Sequence, residues 1–247
     1  MDMKNLKTYR MFESVIELTS EQVQWLDYYT NGTWTLNPQT GLIDIKGAFN
    51  YSHTSFIDFN GFNFGVVSGG FYCNNNSLTS LVGSPRSVGS FDCSNNALTS
   101  LEGAPQEVKG NFNCYDNDLT SLIGAPQLIS GNFDCENNKL VNLIGSPKRV
   151  SGDFWCRRNL LTSLEGAPEY AERFYSNKNP VSENSLENIY VLMQKGASYI
   201  QAVESLWNSL NNEDKSLLYR PEFKWVSEEE LKGIKALIAF NKFKFIL

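Results

Sequence analysis

Phe91-Asp92-Cys93-Ser94-Asn95-Asn96-Ala97-Leu98-Thr99-Ser100-Leu101-Glu102-Gly103-Ala104-Pro105 decides how this chain is built, because the same phrase returns along its middle. Phe recurs at 71, 91, 112, 133, 154 and 174, and Cys two residues later at 73, 93, 114, 135 and 156. Asn recurs at 76, 96, 117, 138, 159 and 179, and Pro at 85, 105, 126, 147 and 168. The first step is 20 residues and those that follow are mostly 21. A period in the twenties with apolar residues at locked offsets predicts a stacked solenoid, each coil burying its apolar side on its neighbours.

Each position in the unit has a physical task. Phe and Cys are two apart, so in an extended strand both face the interior. The Asn three residues past the Cys can bond the backbone of its own turn, and stacking should align these bonds into a ladder. The paired leucines (78 and 81, 98 and 101, 119 and 122, 140 and 143, 161 and 164) return to the same core. Gly and Pro turn the chain, and Val88, Val108, Ile129 and Val150 close each coil. Val88-Gly89-Ser90-Phe91 is one residue shorter than Val108-Lys109-Gly110-Asn111-Phe112, so the length change is expected in one loop, away from the strand register.

Phe-x-Cys-x-x-Asn-x-Leu resembles the Leu-x-Leu-x-x-Asn-x-Leu core of the leucine-rich repeat family. The short period and the Pro are similar to the compact bacterial subclass found in type III effectors. The wording Asn96-Ala97-Leu98-Thr99-Ser100-Leu101-Glu102-Gly103-Ala104-Pro105 resembles tailed-phage leucine-rich repeat proteins. Phe and Cys replace the usual aliphatics, and the sixth copy decays at Ser176 and Val181. The resemblance implies an α/β leucine-rich repeat solenoid, right-handed, with a parallel β-sheet on its concave face and a binding role. The effectors' ubiquitin-ligase activity does not transfer, because no Cys follows Cys156.

The flanks read as caps. Residues 1–46 hold a capping box at Thr19-Ser20-Glu21-Gln22 that opens a short helix carrying Val23, Trp25, Leu26 and Tyr29. Thr33–Leu36 and Leu42–Ile45 flank Asn37-Pro38-Gln39-Thr40-Gly41 as a β-hairpin that could shield the first coil's open edge. The solenoid is expected over 47–181, its first coil degenerate: Tyr51 takes the Cys slot, Thr54 the Asn slot, and Phe56 and Phe59 the Leu slots. From 182 to 247 the period gives way to helical spacing, as in Leu186, Ile189, Tyr190 and Met193, and Ser227-Glu228-Glu229-Glu230 is a second capping box. This segment reads either as a C-terminal cap or as a separate docking module.

Composition narrows the function. The 247 residues carry a net charge of −6, spread as −3 up to Gly70, −2 over Phe71–Val181 and −1 beyond. Nucleic-acid binding would need a basic stripe, and none is present. No run reaches the roughly 18 apolar residues of a membrane span. Five Cys without a secretion signal point to a reducing cytoplasm, the host's if the gene is a phage's. One Cys per coil, all parallel, cannot converge on a tetrahedral metal, and His53 alone offers no triad. No cofactor, metal or catalytic residue is therefore expected.

The remaining signal is what varies between copies, at outward strand positions that carry no packing duty and whose freedom is therefore informative. The position between Phe and Cys reads Tyr72, Asp92, Asn113, Asp134, Trp155, Tyr175. One past the Cys it reads Asn74, Ser94, Tyr115, Glu136, Arg157, Asn177, and the next reads Asn75, Asn95, Asp116, Asn137, Arg158, Lys178. An acidic, amide-rich middle leads to an aromatic and basic end, whose residue types dominate interface energetics. The expected contact, on the concave face, is Tyr72, Asp92, Tyr115, Asp134, Glu136, Trp155, Arg157, Arg158 and Tyr175 against a host or phage protein. The alternative is an assembly component acting through residues 182–247 or self-association. The Thr-Ser pair after the first Leu barely changes and reads as convex scaffold.

Overall fold

The computed structural model describes residues 18–30, 33–59, 61–179, 190, 191, 194–196, 201 and 205. Chain order is α1 (Ser20–Thr30), β1 (Trp34–Leu36), β2 (Leu42–Ile45), β3 (Phe49–Asn50), β4 (Asn63–Tyr72), β5 (Ser87–Asp92), β6 (Glu107–Val108), β7 (Phe112–Asn113), β8 (Leu128–Ile129), β9 (Phe133–Asp134), β10 (Arg149–Val150), β11 (Phe154–Trp155) and β12 (Phe174–Tyr175). They form one sheet, parallel throughout except for the antiparallel β1–β2 hairpin. The chain is a parallel β-solenoid with a step of about 21 residues.

Each regular coil contributes two short rungs to two ladders. One runs through the Phe positions in strict register, Phe49 to Phe71, Phe91, Phe112, Phe133, Phe154 and Phe174. The other runs through the coil-closing residues, Ile45 to Val67, Val88, Val108, Ile129 and Val150. The extra residue of the longer coils falls between the ladders, as expected. In β4 it appears as a register shift between Val67 and Gly70; from residue 107 onward it splits the strand into two short rungs.

The core is the repeat seen end-on. Every Phe of the ladder is buried, with successive ring centroids 5.3–5.7 Å apart from Phe71 to Phe174. Such aromatic pairs contribute about 0.5–1.5 kcal/mol each beyond the area they bury. All ten paired leucines are at 0 % exposure. The five cysteines are buried and unbridged. Each Cys Sγ–H points at the carbonyl of the next coil that also accepts its own N–H, as Cys114 does with Asp134 O.

The asparagine ladder is present in full. Asn117 Nδ2 donates to Cys93 O, Cys114 O and Tyr115 O, and its Oδ1 accepts from Leu98 N–H. Asn96, Asn138 and Asn159 repeat this pattern one coil away each time. Backbone groups at the turns, too far apart to pair with each other, are thereby bonded across coils. The Ser of the Thr-Ser pair has its own reason for constancy. Its Oγ accepts the N–H two residues on, as in Ser100 to Glu102 and Ser163 to Glu165.

The N-terminal cap forms as the residues predict. Thr19 N–H donates to Gln22 Oε1 at 3.0 Å and Gln22 N–H to Thr19 Oγ1 at 3.2 Å, a reciprocal capping box. The hairpin is in register, Trp34 opposite Ile45 and Leu36 opposite Ile43. It does not shield the solenoid alone. Strand β2 covers one ladder's edge through β4, while helix α1 covers the first rung of the Phe ladder at the same end, with the Trp25 ring 4.7 Å from Phe62, 4.8 Å from Tyr51 and 5.7 Å from Phe49. Because Ile45 is itself a rung, a boundary at 46/47 cuts through the first coil. In that coil Tyr51 and Phe59 are buried and Phe56 is partly so. Thr54 bonds Tyr51 O and Asn76 Oδ1 in the Asn slot. At the other end Tyr190 stacks on Phe174 at 4.2 Å. Most of the helical module expected over 182–247 lies outside the described residues, as does Val181.

Candidate functional site

The residues between Phe and Cys form one column in register across the outer face: Tyr72, Asp92, Asn113, Asp134, Trp155 and Tyr175. The residues one past the Cys form a second column beside it, with Tyr115, Glu136 and Arg157 on successive coils. These columns bring together eight of the nine residues expected to make the contact.

Arg158 is the exception. Its position, with Asn75, Asn95, Asp116, Asn137 and Lys178, is a left-handed turn, φ between 51° and 61°. Asn and Asp tolerate that conformation best, so their recurrence there is a backbone requirement. The expectation that all three columns are free of structural duty is corrected on this point. Arg158 is exposed and held by the turn.

The first column also has a duty that sequence spacing did not reveal. Asp92 Oδ1 accepts from Ser94 N–H, Asn113 Oδ1 from Tyr115 N–H, and Asp134 Oδ1 from Glu136 N–H, each an Asx turn of 2.9–3.0 Å. The acidic and amide-rich middle is therefore in part turn chemistry. Tyr72, Trp155 and Tyr175 cannot make this bond. They are where the column departs from what the turn asks for.

Around Trp155 the side chains engage one another. Its ring stacks on Tyr175 with centroids 6.2 Å apart and planes at 23°. The Arg157 guanidinium lies 4.6 Å above the Tyr175 ring. Arg157 Nε is 3.3 Å from Glu136 Oε1, an ion pair by distance whose angle falls short of a hydrogen bond. Asn177 Oδ1 beside it is likewise buried without a partner.

Asp134, between Asn113 and Trp155, is half-buried. Burial raises its carboxyl to about 6; the Glu136 and Asp92 charges add to this, against the Glu136 N–H and the Arg157 charge. Burial pushes the thiols of Cys73, Cys93, Cys114 and Cys135 well above their usual range, which makes them inert. His53 is exposed in a left-handed turn, 3.4 Å from Asn75 Nδ2. Among the described residues no group of three or more His, Cys, Asp and Glu could hold a metal ion, and no helix is long and apolar enough to cross a membrane. Comparison with family models, curated proteins and solved structures finds no match to this chain.

Proposed function

We propose that the chain is a non-catalytic leucine-rich repeat protein of the tailed-phage kind, working in the host cytoplasm and engaging a host or phage protein through these outer columns. The single observation that carries the reading is the departure at Trp155 and Tyr175. The solenoid needs an Asx residue or nothing there, yet the chain sets two large half-exposed rings stacked on each other, with Arg157 over Tyr175 and paired to Glu136. Aromatic and Arg side chains that retain exposure in the free protein are the ones that supply interface energy when covered. The asparagine ladder and the buried leucine pairs support the family reading, and stacked repeats commonly present such a surface.

The test is a tagged pull-down from host lysate, with Trp155→Ala/Arg157→Ala run beside the wild type and circular dichroism confirming that both are folded. The expected result is a partner held by the wild type and lost by the variant. Once that partner is identified, Trp155→Ala alone should weaken binding by about 2 kcal/mol or more. A partner retained equally by both forms would move the contact off this face.

A further inference from the structure

We propose that the trough between Tyr72 and Trp155 seats a basic, extended polypeptide segment, with cationic side chains on Asp92 and Asp134 and one of them against the Trp155 ring. This names the partner class for the binding reading above, and it rests on that reading.

Shape comes first. In register order the column runs from a ring (Tyr72) through three short side chains (Asp92, Asn113, Asp134) to a ring backed by a second ring (Trp155, Tyr175). Four strand spacings separate the walls, about 19 Å, which an extended chain crosses in roughly five or six residues.

Charge comes second. Among the described residues the ion pairs are Lys139 with Asp118 and Arg157 with Glu136. Neither involves Asp92 or Asp134. Arg157, the basic side chain next to Trp155, is already engaged by Glu136 and by the Tyr175 ring. The floor is left with two carboxylates, neither in an ion pair, and with Arg157 as the cation whose charge reaches Asp134. Burial beside Glu136 and Asp92 makes the Asp134 anion unfavourable despite Arg157, a condition that an arriving cation relieves.

The third argument is redundancy. Asn113 makes the same turn bond as its two neighbours without a charge. Carboxylates at 92 and 134 are therefore not explained by the turn. Asp134 sits on the strand beside Trp155, across from the one that carries Tyr175, and a carboxylate next to a Trp is a combination that attracts Lys or Arg, since ring and anion act on the same cation.

The probe is a fluorescein-labelled hexa-arginine peptide, followed by anisotropy on the full chain at neutral pH and low salt. Asp92→Asn/Asp134→Asn keeps both turn bonds and should weaken binding about tenfold or more, as should Trp155→Ala. Glu102→Gln/Glu165→Gln removes the same charge from exposed positions outside the trough and should change affinity by less than about twofold. Equal weakening in the two double variants would reduce the effect to net charge and overturn the proposal, and so would a wild type that does not bind the peptide. A partner lost with Trp155→Ala/Arg157→Ala, beside a peptide indifferent to the Asp variants, would overturn this inference and leave the protein-binding reading intact.

Discussion

Asn117→Ala tests the construction of the solenoid most directly. The Asn117 side chain is 7 % exposed and makes four hydrogen bonds of 3.0–3.3 Å, two of them to the preceding coil and two within its own turn. Truncation damages these groups unequally. Cys93 O keeps Asn96 Nδ2, Cys114 O keeps Asn138 Nδ2, and Tyr115 O keeps Asn95 N–H. Leu98 N–H loses its acceptor. One orphaned buried donor costs about 1–3 kcal/mol, and the three bonds removed from carbonyls that retain a partner cost about 0.5 kcal/mol each, for about 2.5–4.5 kcal/mol in all.

Urea denaturation followed by circular dichroism measures this, provided the slope matches that of the wild type. Asn117→Asp sharpens the test. It preserves the acceptor for Leu98 N–H but replaces the donor with a second acceptor oxygen among three carbonyls, so it should be less stable than Asn117→Ala. An alanine variant within about 0.5 kcal/mol of the wild type would refute the ladder's role. An aspartate variant more stable than the alanine one would refute the assignment of donor and acceptor.

Other consequences are measurable on the same preparation. Asp134→Asn should stabilise the protein at neutral pH. Its folded carboxyl is raised to about 6 from 3.8, so its share of stability is complete below about pH 4 and lost as pH rises through 6; the variant's advantage should grow over that window to about 1–3 kcal/mol, and a pH-independent difference would contradict it. Gly124→Ala should destabilise by about 2 kcal/mol or more in the same denaturation assay. The position has φ +99°, and a Cβ there would lie 2.5 Å from the Leu101 carbonyl. The five thiols should resist a thiol reagent in the native state and react together at the rate of global unfolding. One fast-reacting thiol would show a coil that opens alone.

The repeat was legible because its signal is periodic: a Phe, a Cys and an Asn at fixed offsets leave little choice but stacking. The cap was legible for a different reason, since Thr19 and Gln22 bond each other locally and need no tertiary context. What could not be read was which outward positions were free. Asp92, Asn113 and Asp134 looked like variable surface, but each ties down the N–H two residues on. The row from Asn75 to Lys178 looked like strand and is a left-handed turn. A signal was available in that row, four of whose six residues are Asn or Asp followed directly by the ladder Asn. Ile45 satisfies both patterns at once: it pairs with Trp34 in the hairpin and, filling the slot that Val108 fills in a later coil, is the first rung of the ladder beside Val67.

These turn duties strengthen the functional reading. If every outward residue were unconstrained, Trp155 would be one variable position among many. Because the column between Phe and Cys has a structural preference, each residue can be judged by whether it meets that preference and what it adds. Asn113 meets it and adds nothing. Asp92 and Asp134 meet it and add charge, at a loss of stability in the case of Asp134. Trp155 and Tyr175 abandon it for ring surface. The fold tolerates all three because the asparagine ladder and the Phe stack hold each coil independently of this bond. Stability alone favours Asn over Asp at 134, so under the binding reading proposed above the departures from Asn in this column are where a partner would set the residue.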